Sequence, residues 1–546
     1  MMSRILRTIK LAVPALVCLC ASVLPAQTFP TPKYWGQVFS PQRQPMTVPD
    51  PEQIDVYVVD GKLTLSLQDS IRLTLLNNTE IKINRSQYEQ AAYAALRAYS
   101  PFDPVLTASF RPVRSTQPTT STLQGATTLS DLSQPFSANY NQTFYPGTNL
   151  QVRFNTVRST TNSTFATFNP SFSSGTTFQL SQPLLRGRGW TVNRAPIVVA
   201  KRNIDQSRAA FEAQINDSIL TVINQYWALV EAQKRLAVFR DSLKLAEESY
   251  KRDKRALELG ALSPLEIYRS EGTVAQRRVQ VIQAEYALKP LEDQLRRTIG
   301  ADLNDRVAAL DIVLTENAEI AGELPVPDMT AAIESAMKKR PELEAIRLQL
   351  ANDDTNAQVA RNNLKPDLSL SSFFTSNGRG GNQLTGTGVV PGGFSDSLDQ
   401  VGSFNFPTYG LSLDLRLPIR NRAAQADLGT SMVSKRNSLY RLRQSQQLVN
   451  QDVRNAVHAV EESRLVIAAA DNARELARKT LASEQRKYEL GAQTIFFVLD
   501  AQNQYQQAEQ NYLQALVGYQ RSLAQLDRAT GNLLEKNRVL VDSAVK

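Results

Sequence analysis

The chain has only two cysteines among its 546 residues, Cys18 and Cys20. Both fall within residues 1–26, where basic residues, an apolar run and the small Ala26 predict a secretory signal peptide. Once that segment is removed, the chain carries no thiol. A disulfide framework, a thiol nucleophile and a thiolate metal site are therefore excluded from the mature protein.

Histidine is scarcer still. The single histidine, His458, lies in a charged stretch of a predicted helix, where we expect a surface residue. Carboxylates are plentiful, but none stands at a spacing typical of a catalytic or metal site. The Gly-rich segment 378–393 lacks the Lys-Ser/Thr ending of a phosphate-binding loop, and it is predicted to be a mobile loop. These features favour a protein without enzymatic activity, cofactor or metal.

Long apolar runs are also missing after the signal segment. No later stretch approaches the ~20 apolar residues of a membrane-spanning helix, so any passage through a membrane would have to use strands. The formal net charge is +9, but Lys and Arg are interleaved with Asp and Glu along the predicted helices. This pattern indicates solvated helix faces rather than a nucleic-acid-binding surface.

What the chain does contain is an internal duplication. Shifting residues 220–300 by 231 positions aligns the sequence Glu-Leu-Gly-Ala at 258–261 with the same sequence at 489–492. A shift of 262 positions aligns residues 71, 80 and 104 with identical residues at 333, 342 and 366. The repeated unit of roughly 200 residues is far longer than a solenoid repeat.

The two alignments of the duplication divide the chain into segments. After the signal peptide we expect a proline-rich leader (27–62), a first repeat (63–300), a connector (301–327), a second repeat (328–531) and a C-terminal tail (532–546). Strands are predicted over 102–183 and 366–418, where polar and apolar residues alternate. Each repeat ends in a helical hairpin, with tips at Gly260 and Gly491 that we predict to be left-handed helix caps.

Heptad spacing marks the first long helix, predicted from about residue 196 to 259. Apolar residues recur there every seven positions: Ile215, Val222, Leu229, Leu236, Leu243, Tyr250 and Leu257. Sustained heptads are typical of coiled-coil-like packing. A further helix is predicted from Met329 to about Leu364. The fold class is therefore an α+β membrane protein, a duplicated unit of long helical hairpins and amphipathic strands.

Two motifs give the chain a family resemblance. Residues 488–494 read Tyr-Glu-Leu-Gly-Ala-Gln-Thr, and residues 498–502 read Val-Leu-Asp-Ala-Gln. Together with the order of elements over about 63–531, they resemble the TolC-like outer-membrane efflux proteins. The resemblance implies a homotrimer whose strands form one shared β-barrel in outer-membrane lipid, and whose helices form a periplasmic tunnel. It also implies an exit channel for efflux or type I secretion, which docks on a periplasmic adaptor (membrane fusion) protein and works with an inner-membrane transporter.

The resemblance further implies where such a channel would close and dock. The periplasmic constriction corresponds to Phe497 and Asp500, although Phe497 replaces an acidic residue of the best-known members. The adaptor would dock at the residues of the hairpin tips, which are Gly260, Ala261, Leu262, Gly491, Ala492 and Gln493. The alternative role for Phe497 is packing between hairpins.

Two other functions compete with the exit channel. A periplasmic adaptor also contains a helical hairpin, but it would carry one hairpin between small β-domains, whereas this chain alternates two hairpins with amphipathic strand pairs. An envelope-anchored coiled-coil scaffold is the second alternative. A drug, a metal, a polysaccharide precursor and a secreted polypeptide all stay open as cargo.

The strand regions of the two repeats differ in length. The longer one, 102–183, contains the turn Tyr145-Pro146-Gly147-Thr148 between two alternating segments, 136–145 and 149–158. Each segment is long enough to cross a membrane, which takes ~9–11 residues. The excess is either an additional membrane hairpin, beyond the two strands per repeat that the resemblance implies, or a long extracellular excursion.

Overall fold

A computed structural model describes residues 54–119, 124–260, 264–302, 306–317, 327–385 and 388–539. The expected signal peptide, most of the leader, and the tip residues Ala261 and Leu262 lie outside these ranges. The described residues belong to one compact unit, 51–546.

Helices lie in both repeats and in the C-terminal tail. In sequence they are α1 (Leu67–Asn77), α2 (Thr79–Arg97), α3 (Trp190–Asn193), α4 (Ala195–Glu258), α5 (Pro264–Ile299), α6 (Met329–Lys339), α7 (Pro341–Asn363), α8 (Phe394–Ser403), α9 (Arg422–Glu489), α10 (Ile495–Thr530) and α11 (Leu533–Lys536). The long helix predicted from the heptads is confirmed as α4. Among the described residues, no helix is both long enough and apolar enough to cross a membrane.

Glycine ends the first helix of each hairpin. Gly260 and Gly491 both have a φ of +73°, and their amides donate to the carbonyls of Leu257 and Tyr488, each at 2.9 Å. No atom of the described residues lies within 4 Å of the place that a Cβ would occupy at either glycine. The backbone conformation, rather than a lack of space, therefore requires glycine here, and the predicted left-handed caps are confirmed.

The strands in the described part of the chain form two sheets. They are β1 (Val58–Val59), β2 (Lys62–Leu65), β3 (Val105–Phe110), β4 (Val113–Pro118), β5 (Thr128–Thr143), β6 (Asn149–Thr161), β7 (Phe168–Pro183), β8 (Ile312–Leu314), β9 (Asp367–Thr385), β10 (Gly388–Val390) and β11 (Phe406–Arg416). The large antiparallel sheet has the order β10-β9-β7-β6-β5-β3, with β11 also paired to β9 and β4 to β5. β3 and β4 keep a single register against β5, so they form one strand that is interrupted at Pro112, which has no amide hydrogen to donate.

The small sheet was not expected from the sequence. It joins β1 and β2, from the end of the leader and the start of the first repeat, to β8, which runs parallel to β2 and lies within the connector. Leu63 and Leu65 of β2 are fully buried in the main core. Tyr226 of α4 lies in the same core, and its hydroxyl contacts the Leu65 carbonyl at 3.4 Å. The connector is therefore partly a structural strand.

The prediction of a single helix from Met329 to about Leu364 is wrong, because the structure has two helices there. The predicted helix is divided into α6 and α7 at Arg340, whose backbone is extended with φ −68° and ψ 119°. Pro341 follows, and a proline disfavours helical geometry in the residue before it. The side chain of Arg340 is buried and pairs with Glu342 at 3.0 Å and with Asp452 of α9 at 3.3 Å, which holds the break against the second hairpin.

The prediction of a mobile loop at 378–393 is also wrong. Strand β9 continues through this segment to Thr385, and α8 packs on its surface. A Cβ at Gly378 would meet the carbonyl oxygen of Ser397 in α8. The glycines therefore allow a helix backbone to approach a strand closely, which is a packing role rather than a sign of mobility.

Candidate functional site

The large sheet has two chemically different faces. Cross-strand pairing places a set of mainly apolar side chains on one face: Leu106, Phe110, Phe136, Tyr140, Val152, Phe154, Phe178, Leu370, Phe374, Leu411 and Leu413. The opposite face carries Thr107, Asn139, Gln151, Arg153, Asn155, Thr177, Gln179, Ser371, Thr375, Ser412 and Asp414. An apolar face opposite a hydroxyl- and amide-rich face is typical of strands between lipid and a water-filled lumen.

Side chains on the polar face bond across the strands. Arg153 donates from Nε to Asn139 Oδ1 at 2.9 Å. The hydroxyls of Thr177 and Thr375 lie 2.9 Å apart, and Ser371 donates to Ser181 at 3.0 Å. The last two contacts join β7 of the first repeat to β9 of the second, so both repeats build one continuous polar surface.

Aromatic residues mark the end of the sheet that meets the helices. Tyr145, in the turn between β5 and β6, packs against Phe102 with ring centroids 4.7 Å apart and against Trp190 at 5.6 Å. The guanidinium of Arg194 lies 5.3 Å from the Tyr145 ring centroid. Aromatic girdles of this kind are found at membrane interfaces. The cluster places this turn beside the start of α4.

The hairpin tips are joined by a buried carboxylate. Asp253 of α4 is 1% exposed. It accepts a hydrogen bond from Ser270 of α5 and one of 3.0 Å from the hydroxyl of Tyr488 in α9. Burial, followed by the Asp253 carboxylate, raises the pKa of Tyr488 to about 12. Asp253 therefore links the two hairpins just above their tips.

A second polar contact joins the hairpins farther from the tips. The buried guanidinium of Arg277 in α5 donates to Asn503 and Gln506 of α10, and burial lowers its pKa. Ser242 of α4 donates to the same Gln506 at 3.2 Å. Sequence reasoning missed Asp253, Arg277 and their partners, because polar residues on long charged helices give no signal of which ones face inward. Of these residues, Tyr488 alone lies within the motif at 488–494.

The structure places the two expected gate residues on one exposed surface of α10. Phe497 is 46% exposed and makes an edge contact with Phe496 at 5.5 Å. Asp500 is exposed, and one of its carboxylate oxygens accepts from Gln504 at 2.8 Å. The opposite surface of the helix is held by a small core made of Leu481, Ile495, Val498, Leu499 and Ala501. That core fixes the direction in which Phe497 and Asp500 point.

The expected docking residues are partly described. Gly260, Gly491 and Ala492 are exposed, and Gln493 is half-buried. Ala261 and Leu262 fall outside the described residues. His458 is exposed on α9, where its Nδ1 lies 3.4 Å from Glu461, so the predicted surface position is confirmed.

A two-faced sheet joined to two long helical hairpins defines the class of outer-membrane channels with periplasmic helices. The model of the outer membrane efflux protein family matches residues 137–301 and 332–532. The chain belongs to this family. It is accordingly an outer-membrane efflux channel, with its helical hairpins in the periplasm.

Individual relatives are distant in sequence. The chain is 22% identical to outer membrane protein TolC of Vibrio cholerae, over 67% of this chain and 78% of that protein. It is also 22% identical to nodulation protein T of Rhizobium leguminosarum, over 62% of this chain and 66% of that protein. For pyoverdine export outer membrane protein OpmQ of Pseudomonas putida, the identity is 23%, over 57% and 61%.

Solved structures agree on the fold. CusC superposes with a TM-score of 0.62 at 17% identity, covering 90% of this chain and 98% of CusC. The outer membrane channel CmeC of Campylobacter jejuni gives a TM-score of 0.61 at 16% identity, covering 92% and 97%. At these identities the likeness concerns the fold alone.

Proposed function

We propose that three copies of this chain form a passive exit channel of a multicomponent efflux or type I secretion system. The channel docks on a periplasmic adaptor, works with an inner-membrane transporter that supplies the energy, and performs no chemistry itself. The observation that carries the proposal is the pair of long sheet edges in one protomer. Among the described strands, β3/β4 pairs only with β5, and β11 pairs only with β9.

Unpaired edges of this length require partners. Strand β11 is exposed over nearly its whole length, with Leu411, Leu413 and Leu415 all more than half exposed. In lipid, an unpaired backbone group costs several kcal/mol. Pairing of β11 with β3/β4 of the next copy satisfies both edges and closes the sheet, which supports a homo-oligomer with cyclic symmetry.

The helices support the same assembly. Large apolar side chains remain exposed on α2 and α9 of one protomer: Ile83, Tyr93 and Leu96, and Leu448, Leu465 and Leu476. Helices of adjacent copies would cover them, as heptad-spaced helices pack side by side. A periplasmic adaptor or a coiled-coil scaffold does not need a broad sheet with one apolar and one polar face, so these alternatives are disfavoured.

We place the gate and the docking surface at the hairpin tips. In a trimer, Asp500 would form a ring of three carboxylates and Phe497 an apolar ring about one helical turn away. Gly260, Ala261, Leu262, Gly491, Ala492 and Gln493 would contact the adaptor. This assignment is supported by the exposed positions of Phe497 and Asp500 and by the exposed tip backbone.

Two measurements test the channel. The purified protein should migrate as an oligomer that resists SDS until it is heated, and it should conduct ions in planar bilayers. A heat-insensitive monomer without conductance would contradict the proposal. Mild cross-linking in cells, followed by purification, should recover an adaptor and an inner-membrane transporter.

Docking is tested separately with Ala492→Trp. The bulky side chain should reduce recovery of the adaptor and export, while the oligomer still forms. Ala468→Trp, at an exposed site of α9 away from the tip, is the matched control for docking. Normal adaptor recovery with both Ala492→Trp and Ala261→Trp would place the docking surface elsewhere.

A further inference from the structure

We propose that the β5–β6 hairpin is part of the membrane wall, so that each protomer supplies six membrane strands instead of four. The six are β3/β4, β5, β6, β7, β9 and β11. This inference rests on the trimer proposed above, in which the closed sheet would contain eighteen strands, six from each copy.

Length and pairing make β5 and β6 full members of the sheet. They contain 16 and 13 residues, and a tilted membrane strand needs only ~9–11. Their pairing runs without a shift from Asp131↔Thr161 to Thr143↔Asn149. Each also has a neighbour on its other side, since β5 pairs with β3/β4 and β6 pairs with β7. Neither strand therefore lies at an edge of the sheet.

The position of the connecting turn excludes a hairpin confined to the far side of the membrane. The Pro146 carbonyl accepts from the amide of Gly189 at 3.1 Å. A Cβ at Gly147 would lie 2.6 Å from the carbonyl oxygen of Gly187, and Tyr145 packs on Trp190. These partners immediately precede α4, which lies on the periplasmic side. Strand β5 therefore descends the full height of the sheet, and β6 rises again.

The chemistry of the two strands matches that of the rest of the sheet. Phe136 and Tyr140 of β5, and Val152 and Phe154 of β6, share the apolar face with Phe178 of β7. An extracellular excursion in water would have no need to keep this alternation in phase with the neighbouring strands. The added hairpin is thus built to face lipid on one side and water on the other.

The consequence is a wider outer-membrane opening. Because barrel diameter grows roughly linearly with strand number, eighteen strands give a diameter about 1.5 times that of a twelve-strand assembly. Barrels of 16–18 strands enclose a water-filled channel. The added strands do not change the long helices α4, α5, α9 and α10. The constriction of the channel therefore remains at the hairpin tips. The outer-membrane section would then pass bulky cargo that the tips admit.

Alternation of solvent access along β6 tests this inference. Single cysteines at Val152, Arg153, Phe154 and Asn155 would carry nitroxide labels in the otherwise thiol-free mature protein, reconstituted in liposomes. Oxygen should raise the relaxation rate of the nitroxide about twofold or more at positions 152 and 154 relative to 153 and 155. A water-soluble nickel chelate should have the opposite preference, again by about twofold or more. Thr177 and Phe178 of β7 provide the control pair.

The outcomes separate the two proposals. If solvent access alternates along β7 while all four β6 positions are equally accessible to the nickel chelate, the added-strand inference is wrong. The proposed channel is then still supported. If solvent access alternates along neither strand, both the proposed channel and the added-strand inference are wrong.

Labelling of intact cells gives a second measurement. A membrane-impermeant maleimide should modify a cysteine at Ser163, beyond the far end of β6, and should leave Pro146→Cys unmodified until the outer membrane is permeabilised. Pro146 is preferable to Gly147, where the φ of +95° and the nearby Gly187 carbonyl leave no room for a side chain. Labelling of both sites in intact cells would show an extracellular excursion.

Discussion

The hydroxyl of Tyr488 donates a 3.0 Å hydrogen bond to Oδ1 of Asp253, and this bond connects the second hairpin to the first. Asp253 is almost completely buried, so its carboxyl oxygens need hydrogen-bond donors within the protein. Ser270 supplies one donor from within the first hairpin, and Tyr488 supplies the one that crosses between hairpins. Relative movement of the hairpins near their tips must therefore break the Tyr488 bond.

Replacing Tyr488 with Phe should loosen the tips without unfolding the protein. A hydrogen bond to a charged group contributes about 1.5 kcal/mol or more, which corresponds to a roughly tenfold increase in local opening. Hydrogen exchange of the first turns of α10 would measure it. Tyr440→Phe, at a 65% exposed site on the same helix α9, is the control. Equal exchange in both variants would show that the bond does not hold the tips.

Alkaline pH should weaken the protein through two tyrosines. Burial raises the pKa of Tyr226 and of Tyr488 to about 12, above the ordinary value of about 10. The folded state thus holds these phenol protons more tightly than the unfolded state. Their contribution to stability is complete below pH 10 and is lost as pH rises from 10 through 12. Denaturation midpoints between pH 9 and 12 should fall less steeply in Tyr226→Phe. A slope unchanged from wild type would contradict this assignment.

Neutralising Asp500 should change ion passage. The carboxylate is exposed, and among the residues that the structure describes its hydrogen-bond partner is Gln504 of the same helix. Asp500→Asn therefore removes a charge with little effect on packing. If three copies surround the pore, divalent cations should block the wild-type channel more strongly than the variant, by about tenfold in blocking concentration. Asp427→Asn, an exposed site near the start of α9, is the matched control in planar bilayers. The same block in both variants would remove Asp500 from the constriction.

Adding one methyl group at Gly378 should release α8 from the sheet. The new Cβ would meet the Ser397 carbonyl oxygen, and it would disturb the contacts that Ser397 and Val401 make with Ser174 and Ser376. Gly378→Ala should make the backbone around Phe394 and Phe404 more accessible to chymotrypsin on intact cells and raise the cleavage rate about tenfold. Gly402→Ala, within α8 but with open space around its Cβ position, should leave cleavage unchanged. Equal rates would show that the close approach is not required for docking.

Local pattern was sufficient for much of the architecture. Heptads predicted α4, glycine predicted the caps at Gly260 and Gly491, and alternation predicted β5, β6 and β11, because helix and strand periods and left-handed caps depend on neighbours along the chain. The duplication predicted two copies of the same order of elements. The motif at 488–494 indicated the family, and the family implied the cellular location.

Tertiary structure decided what depended on distant partners. The sequence predicts a loop at Gly378, whereas the structure packs α8 on β9 there. The parallel pairing of β8 with β2 has no local signal, because the two strands are far apart in the chain. Asp253 could not be distinguished from the exposed carboxylates of its helix until Ser270 and Tyr488 were placed around it. The sequence by itself determined the long helices, the alternating strands and the glycine caps at the hairpin tips. Only packing across the chain decided which polar groups are buried together and that the turn at Tyr145 lies beside the helices.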